Sequence, residues 1–487
     1  MNTVQRIAKN TGILLATNII GRILSFFYIM YTARYLGVEG FGILSFALAF
    51  TGIFGVFTDL GLGQLTIREV ARDKSLAGKY LANISVMKVI LVTVTFGLIT
   101  FTINLLGYPG EMIKVVYLIA LFVIFESFIE MFNSIFQAFE KMEYQSVGQI
   151  LNSVLILAGA IFAIKHNFSV IGFAFLYFIA SFIVLGYSLI ILKWRFSNPF
   201  SASLVWAPRK IETDWSLWKS IIKKALPFGL TAIFTTIYFK IDTVMLSLMK
   251  GNAVVGWYNA AYRLIFVLML IPTAVVGSVF PVISRLYISS KDSIRLTFEI
   301  SFKYLLIVGL PIAVGTSILA DKIILLIYGK EFVYSIIALQ ILIWVAFLMF
   351  LTYLLGNTLG AIDKQRKVLE VTGIGAMVNV VLNLLLIPRF SYIGASVTTV
   401  VTEGIVFVLL FHFMCKYLHG IPMHKYIIKP LLASLIMGIS IFYLRGINLL
   451  EMISLAIFIY FAVLYFTRII SKDDINLFVQ IFGRRPK

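Results

Sequence analysis

One cysteine, Cys415, occurs in 487 residues. A single thiol excludes an intramolecular disulfide and any Cys-x-x-Cys metal pair. Histidine is scarce too. His166, His412, His419 and His424 are the whole set, and none stands in His-Glu-x-x-His spacing. No Gly-x-x-x-x-Gly-Lys-Ser/Thr phosphate loop is present, which argues against direct ATP hydrolysis, and no Gly-x-Ser-x-Gly nucleophile elbow occurs. The glycine-rich GVEGFG (Gly37–Gly42) joins two apolar runs and reads as a tight turn. Neither catalytic residues nor metal ligands nor a cofactor are expected, and the chain does not read as an enzyme. Charge is the last shortage. Only 13% of residues are charged, against about a quarter in soluble domains.

Apolar residues fill the space. They make up 60% of the chain, and the mean hydropathy is +0.98. No soluble fold of this length could bury so much apolar surface, so the class is polytopic membrane protein. A spanning helix needs about 20 mostly apolar residues. Fourteen runs qualify, from 11–34 to 449–468. They lack the alternation of strands, and lipid admits only helices or closed barrels, so the fold is all-α. The opening MNTVQRIAKN-TGILLATNII has the charged and apolar parts of a signal peptide, but its apolar run continues too far, so it reads as a retained first span.

The net charge of +19 does not point to nucleic acid, because the basic residues sit in short connectors. Of 41 Lys and Arg, 29 fall in the N-terminus, the even-numbered connectors and the C-terminus, and 8 on the other side. The positive-inside rule then puts both termini in the cytoplasm. The longest cytoplasmic connector, 193–224, holds Trp215, Trp218, Ile221 and Ile222 on one helical face opposite lysines, which reads as an amphipathic interfacial helix. The tail INLFVQIF has a similar pattern.

The chain repeats itself. RYLGVEGFGILSFALAF (Arg34–Phe50) resembles LSLMKGNAVVGWYNAAYRL (Leu246–Leu264), with Gly42 on Gly256, an offset of 214. FEKMEYQSVGQILNSVLIL resembles IDKQRKVLEVTGIGAMVNVVLNLLL, with Asn152 near Asn379. Six spans per half is an even number, so both halves enter the membrane in the same sense, around an axis along its normal. The expected organisation is an N-terminal six-helix lobe (1–192), the connector (193–224), a second six-helix lobe (225–416), and two additional helices with a tail (417–487).

Three stretches carry a family resemblance: the opening NTGILLATNIIGRILSFFYIMYTARYLGVEGFGILSFALAF, then TDLGLGQLTIREVARDKS (Thr58–Ser75), then YFKIDTVMLSLMKGNAVVGWYNAAYRL (Tyr238–Leu264). They resemble the polysaccharide-biosynthesis transporters, the family of Wzx-type lipid-linked oligosaccharide flippases. Its superfamily includes multidrug and toxin extrusion transporters and the lipid II flippase. The resemblance covers essentially the whole chain. It implies an alternating-access flippase in the cell membrane, with a polyprenyl-pyrophosphate-linked oligosaccharide and membrane lipids as partners, alongside glycan polymerase or glycosyltransferase machinery.

Charges inside the spans are the candidate site, since each is costly there, about 2.5–3.5 kcal/mol at the helix centre even on a lenient scale. Lys240 and Asp242 lie two apart in span 7 and point to opposite faces. Asp242 lies about 10 Å, and Arg263 in span 8 about 13 Å, below the outer ends of their helices. An interhelical pair is expected, either functional or merely pinning two helices together. Arg22 lies near the middle of span 1, and the alternatives for it are snorkelling or a pair with Glu126. In related flippases, arginines on helices 1 and 8 line the cavity, so the resemblance implies that Arg22 and Arg263 hold pyrophosphate, with Lys240 and Asp242 beside them. An arginine fork suits phosphate oxygens. Glu126 and Glu130, four apart on span 4, and Glu403 in span 12 are candidate sites for sodium or proton coupling, or plain cavity carboxylates. Lys88 and Asp59 lie near span ends and read as snorkelling. Pro227, Pro272, Pro281 and Pro311 mark bends. The rival readings are a multidrug-type cation antiporter, a membrane glycosyltransferase (disfavoured by the short outer connectors) and a scaffold.

The charge asymmetry generates one expectation about topology. Cysteines placed at Ser203 and Gly251 should be labelled by an impermeant maleimide from opposite sides of the membrane. Labelling of both from outside would break the topology and the repeat with it.

Overall fold

Helix forms wherever the apolar runs require it. The computed structural model describes residues 3–195, 215–289, 291–418, 420–421, 423–444 and 446–467. In chain order the α-helices are α1 Thr3–Gly55, α2 Leu62–Arg72, α3 Ala77–Leu105, α4 Gly110–Ala138, α5 Met142–Lys165, α6 Val170–Arg195 and α7 Trp215–Lys250. Then come α8 Asn252–Leu268, α9 Leu270–Ser289, α10 Lys291–Ile327, α11 Ser335–Ala361, α12 Gln365–Tyr417, α13 Met423–Tyr443 and α14 Leu449–Phe466. Among the described residues, 12 helical stretches are long and apolar enough to cross a membrane. The two longest, Gly12–Thr58 and Gln365–Tyr417, each hold two of the expected spans. They turn at Gly37 (φ 67°) and Ser391 (φ 54°). Gly37 is the glycine of GVEGFG, and its left-handed φ is one that a Cβ disfavours.

Proline explains two further features. It cannot donate to the carbonyl four residues back. Pro272 therefore leaves Leu268 without its helical partner, and the helix breaks there into α8 and α9. Pro311 leaves the carbonyl of Ile307 unmet inside α10, and the Tyr460 hydroxyl of α14 donates to it at 2.7 Å. Between α2 and α3, Asp73 accepts from the Ser75 amide (3.0 Å) and hydroxyl (2.7 Å), which hold its carboxyl below the usual carboxylate range.

The chain divides into two compact units: residues 1–260 with 376–395, and residues 261–375 with 396–487. In the first, α2 is amphipathic and buries Leu62, Leu65 and Val70 against Tyr80 and Ile84 of α3 and Phe132 of α4. The described start of α7 joins this core. Ile221 is buried in it, and Trp218 packs beside it, its indole N–H donating to Asn83 at 2.9 Å. These two side chains of the expected interfacial face thus pack on protein, and the helix runs unbroken into span 7, while Ile222 stays exposed. Residues 196–214 and the tail INLFVQIF lie outside the described residues. In the second unit, Met437 and Ile441 of α13 and Met452 and Tyr460 of α14 pack on Ile307 and Leu319 of α10. Lys322 of α10 donates to the carbonyl of Ile447 at 2.7 Å.

The repeat predicted from sequence has a physical meeting point. A Cβ on Gly42 would strike the carbonyl of Asn252, and one on Gly256 would strike the carbonyl of Val38. Val38 and Asn252 are themselves repeat mates at the same offset of 214. The two copies touch reciprocally, backbone to backbone, as a two-fold relation requires. Gly42→Ala and Gly256→Ala should each destabilise the protein, by about 1–3 kcal/mol as overpacking does. Gly97→Ala, where a Cβ meets open space, should be neutral or slightly stabilising. Thermal midpoints in one detergent check this. Equal midpoints for all three variants would refute the close contact.

Candidate functional site

The hairpin of α7 and α8 is zipped by polar pairs. Asp242 is 1% exposed and accepts from the Tyr258 hydroxyl at 2.8 Å. One turn of chemistry away, Asn259 donates to the Thr243 hydroxyl at 3.1 Å. Asn383 of α12 also donates its amide to Asp242, and to the side-chain oxygen of Asn379 at 3.0 Å. The Asn379 amide nitrogen and the Asn383 amide oxygen are enclosed with no hydrogen-bond partner. Lys240 takes the other side of α7, where its ammonium lies over Gly52 of α1. The two charges of span 7 therefore face different neighbours, as their spacing requires.

A cavity of about 270 Å³ opens among α2, α4, α5 and α6 of the first unit. Asp59, Glu126 and Glu130 supply its carboxylates. Asn133 and Gln137 of α4, and Gln145, Gln149 and Asn152 of α5, supply carboxamides. Position sets this lining. Glu126, Glu130, Asn133 and Gln137 recur at the three- and four-residue steps of one helix face, and Gln145, Gln149 and Asn152 do the same on α5. Gln137 donates to Gln145 at 2.9 Å. The Asn152 side-chain oxygen is enclosed and unpartnered.

Beneath the cavity, Lys88 corrects a sequence expectation. It does not snorkel. It is 0% exposed, 2.9 Å from Asp59 and 2.8 Å from the Ser127 hydroxyl, and it also donates to the Thr58 carbonyl at 3.4 Å. Asp59 in turn accepts from the Gly63 amide at 3.2 Å, at the start of α2. Depth along a span suggested that both reach water. The bundle closes over the lysine instead, and the aspartate comes to it.

Arg22 is half-buried in α1, and among the described residues Glu126 makes no ion pair, so the alternative pairing with Arg22 is not formed. Arg263 is half-buried in the second unit. Glu403 is buried in the same unit and accepts from the Thr352 hydroxyl. Among the described residues no three His, Cys, Asp or Glu side chains come together to hold a metal ion. Sequence reading missed the Lys88–Asp59 pair and Asn383. The signal for Asn383 was present, since it stands four residues after Asn379.

Residues 7–287 match the family described as Polysaccharide biosynthesis protein. The chain belongs to that family. Residues 227–385 also match MatE, so this polysaccharide biosynthesis protein sits within the wider superfamily of polysaccharide and multidrug exporters. It is 24% identical over 477 residues to the probable low-salt glycan biosynthesis flippase Agl15 of Haloferax volcanii, covering 95% of each chain. It is 21% identical over 412 residues to the capsular polysaccharide biosynthesis protein CapF of Staphylococcus aureus, covering 83% of this chain and 98% of that one. Among solved structures, the lipid II flippase MurJ in an inward closed conformation matches with a TM-score of 0.76 at 17% identity, over 97% of this chain and 100% of that one. An inward-facing multidrug resistance MATE transporter matches with a TM-score of 0.63 at 17% identity, over 83% and 98%. The fold is the one these transporters share.

The buried ion pair predicts an asymmetry. Asp59→Asn strands a fully enclosed ammonium and should cost about 3–5 kcal/mol, the usual penalty of breaking a buried pair. Lys88→Met should cost less, because Asp59 keeps the Gly63 amide and borders the cavity. The double variant should be more stable than Asp59→Asn alone. Thermal midpoints of purified variants measure this, and two strictly additive losses would exclude the pairing.

Proposed function

We propose that the protein is a flippase of the Wzx type, carrying a polyprenyl-pyrophosphate-linked oligosaccharide from the cytoplasmic to the outer leaflet of the cell membrane. The observation that carries this reading is a hydrogen-bonding cavity built inside an apolar helical bundle of a polysaccharide biosynthesis protein. A lipid-linked glycan has the same division, a polar head on an apolar tail. The names of the Haloferax and Staphylococcus relatives support glycan precursors as the cargo.

In this reading Arg22 and Arg263 hold the pyrophosphate, because a guanidinium keeps its charge and grips two oxygens at once. The tail stays in lipid, against the exposed apolar faces of α13 and α14, which carry Leu431, Leu435, Ile439, Phe458 and Phe461. The two six-helix halves, 1–192 and 225–416, rock to expose the head group first inward and then outward. Both termini face the cytoplasm. A sodium or proton gradient drives the cycle through the enclosed carboxylates, of which Asp242 and Glu403 are the most buried. Asp242, held by Tyr258 and Asn383, suits a small ion better than a bulky head group, and the unused Asn383 oxygen beside it adds a ligand.

The rival cation antiporter draws on a specific observation: Glu126 and Glu130 face a cavity with no lysine or arginine in its lining. Arg22 separates the two readings. In proteoliposomes scored by leaflet accessibility of a tagged glycolipid, Arg22→Ala should abolish transport. Arg22→Lys should impair it at normal insertion, because the charge remains and the fork is lost. Full activity of Arg22→Ala with a pyrophosphate-linked glycolipid would remove the head-group assignment and favour the antiporter.

A further inference from the structure

We propose that the cavity of the first unit is a recognition subsite for a single sugar residue, neutral or amino-bearing, and that Glu126 and Glu130 reject uronic acids there. The proposal rests on the glycolipid reading above. Charge comes first. Asp59 is answered by Lys88 at 2.9 Å. Glu126 and Glu130 form no ion pair among the described residues, and no lysine or arginine lines the cavity. Two acidic side chains are thus left to face whatever enters. Their acceptor oxygens suit hydroxyl or ammonium donors and repel a second carboxylate.

The amides narrow the ligand class. A bare cation uses only acceptors, yet the lining is rich in carboxamides, which both donate and accept. Gln137 donates one of its two amide hydrogens to Gln145, which leaves the Gln137 oxygen and the Gln145 amide hydrogens uncommitted to that bond. Asn152 borders the cavity too, although its own side-chain oxygen is closed off from the space. A sugar hydroxyl meets both needs, since it gives and takes one hydrogen bond each. Ile67, Ile129 and Val184 complete the wall and offer an apolar surface for the C–H face of a ring. Size sets the number of residues. A cavity of about 270 Å³ has room for one sugar ring. A multivalent metal is disfavoured, because among the described residues the acids do not converge into a metal-holding group.

The test reads binding and transport separately. Purified full-length protein is titrated with free glucose, glucosamine and glucuronate, followed by saturation-transfer NMR. Glucose and glucosamine should bind, and glucuronate should bind about ten-fold more weakly, as like-charge juxtaposition demands. Glu126→Gln with Glu130→Gln should raise glucuronate relative to glucose. Gln149→Leu should weaken all three about ten-fold, the loss of one buried hydrogen bond. Near-isosteric Glu→Gln changes keep a readout if Gln149→Leu fails to fold. Equal binding of the three sugars, unchanged in the double variant, would overturn the subsite, as would chemical-shift changes produced by sodium and not by sugar. Sugar binding without glycolipid transport would uphold the subsite and overturn the flippase. Transport that ignores both the charge of the head sugar and the variants would uphold the flippase and overturn the subsite.

Discussion

An ammonium enclosed by apolar helices has to be answered by the protein itself, because lipid offers no partner. Lys88 is in that position, and the first unit is arranged around it. Its three contacts come from two separate places: Asp59 and the adjacent Thr58 carbonyl in the turn before α2, and Ser127 in the middle of α4. One charge therefore fixes the position of α3 against α4 and of the turn before α2. Breaking such a set leaves a bare buried charge, which costs far more than an exposed pair would. The same bond decides the character of the cavity above it. Asp59 is paired with Lys88, so the acidic groups of the cavity that lack an ion pair among the described residues are Glu126 and Glu130, close to Ser127 on α4.

The rule extends to the backbone. Pro311 leaves the Ile307 carbonyl without an amide, and Tyr460 supplies a hydroxyl from α14. The helices outside the repeat are thus tied to the second unit partly by a defect in α10. At Pro272 the helix breaks instead.

The repeat shows how one scaffold carries two chemistries. At Gly42 and Gly256 the copies meet backbone to backbone, and any side chain would part them. At Asn152 and Asn379, which fall near each other when the two copies are aligned, the surroundings differ. Asn152 borders an open cavity whose carboxylates come from Asp59 and from α4. Asn379 is wholly buried and bonded to Asn383, which reaches the carboxylate of Asp242 in α7. A shared asparagine position serves an accessible polar space in one copy and a closed network in the other.

The amino-acid sequence determined the helices, the turn at Gly37, the repeat and the list of intramembrane charges. Each is a local property: a hydropathy sum along one segment, a glycine in a tight turn, or a residue type at a known depth. Glu126 and Glu130 were placed on one face by their spacing alone, and Lys240 and Asp242 on opposite faces. The partners of those charges were decided elsewhere. Lys88 and Asp59 read as snorkelling because depth along a helix says nothing of its rotation about its own axis. A pair of Arg22 with Glu126 was one alternative, and Glu126 forms no ion pair among the described residues. Trp218 and Ile221 made an amphipathic face suited equally to lipid and to α3 and α4, and only packing chose between them. Rotation and neighbour are through-space quantities, set when helices distant in sequence bury their charges together, and they belong to the tertiary structure.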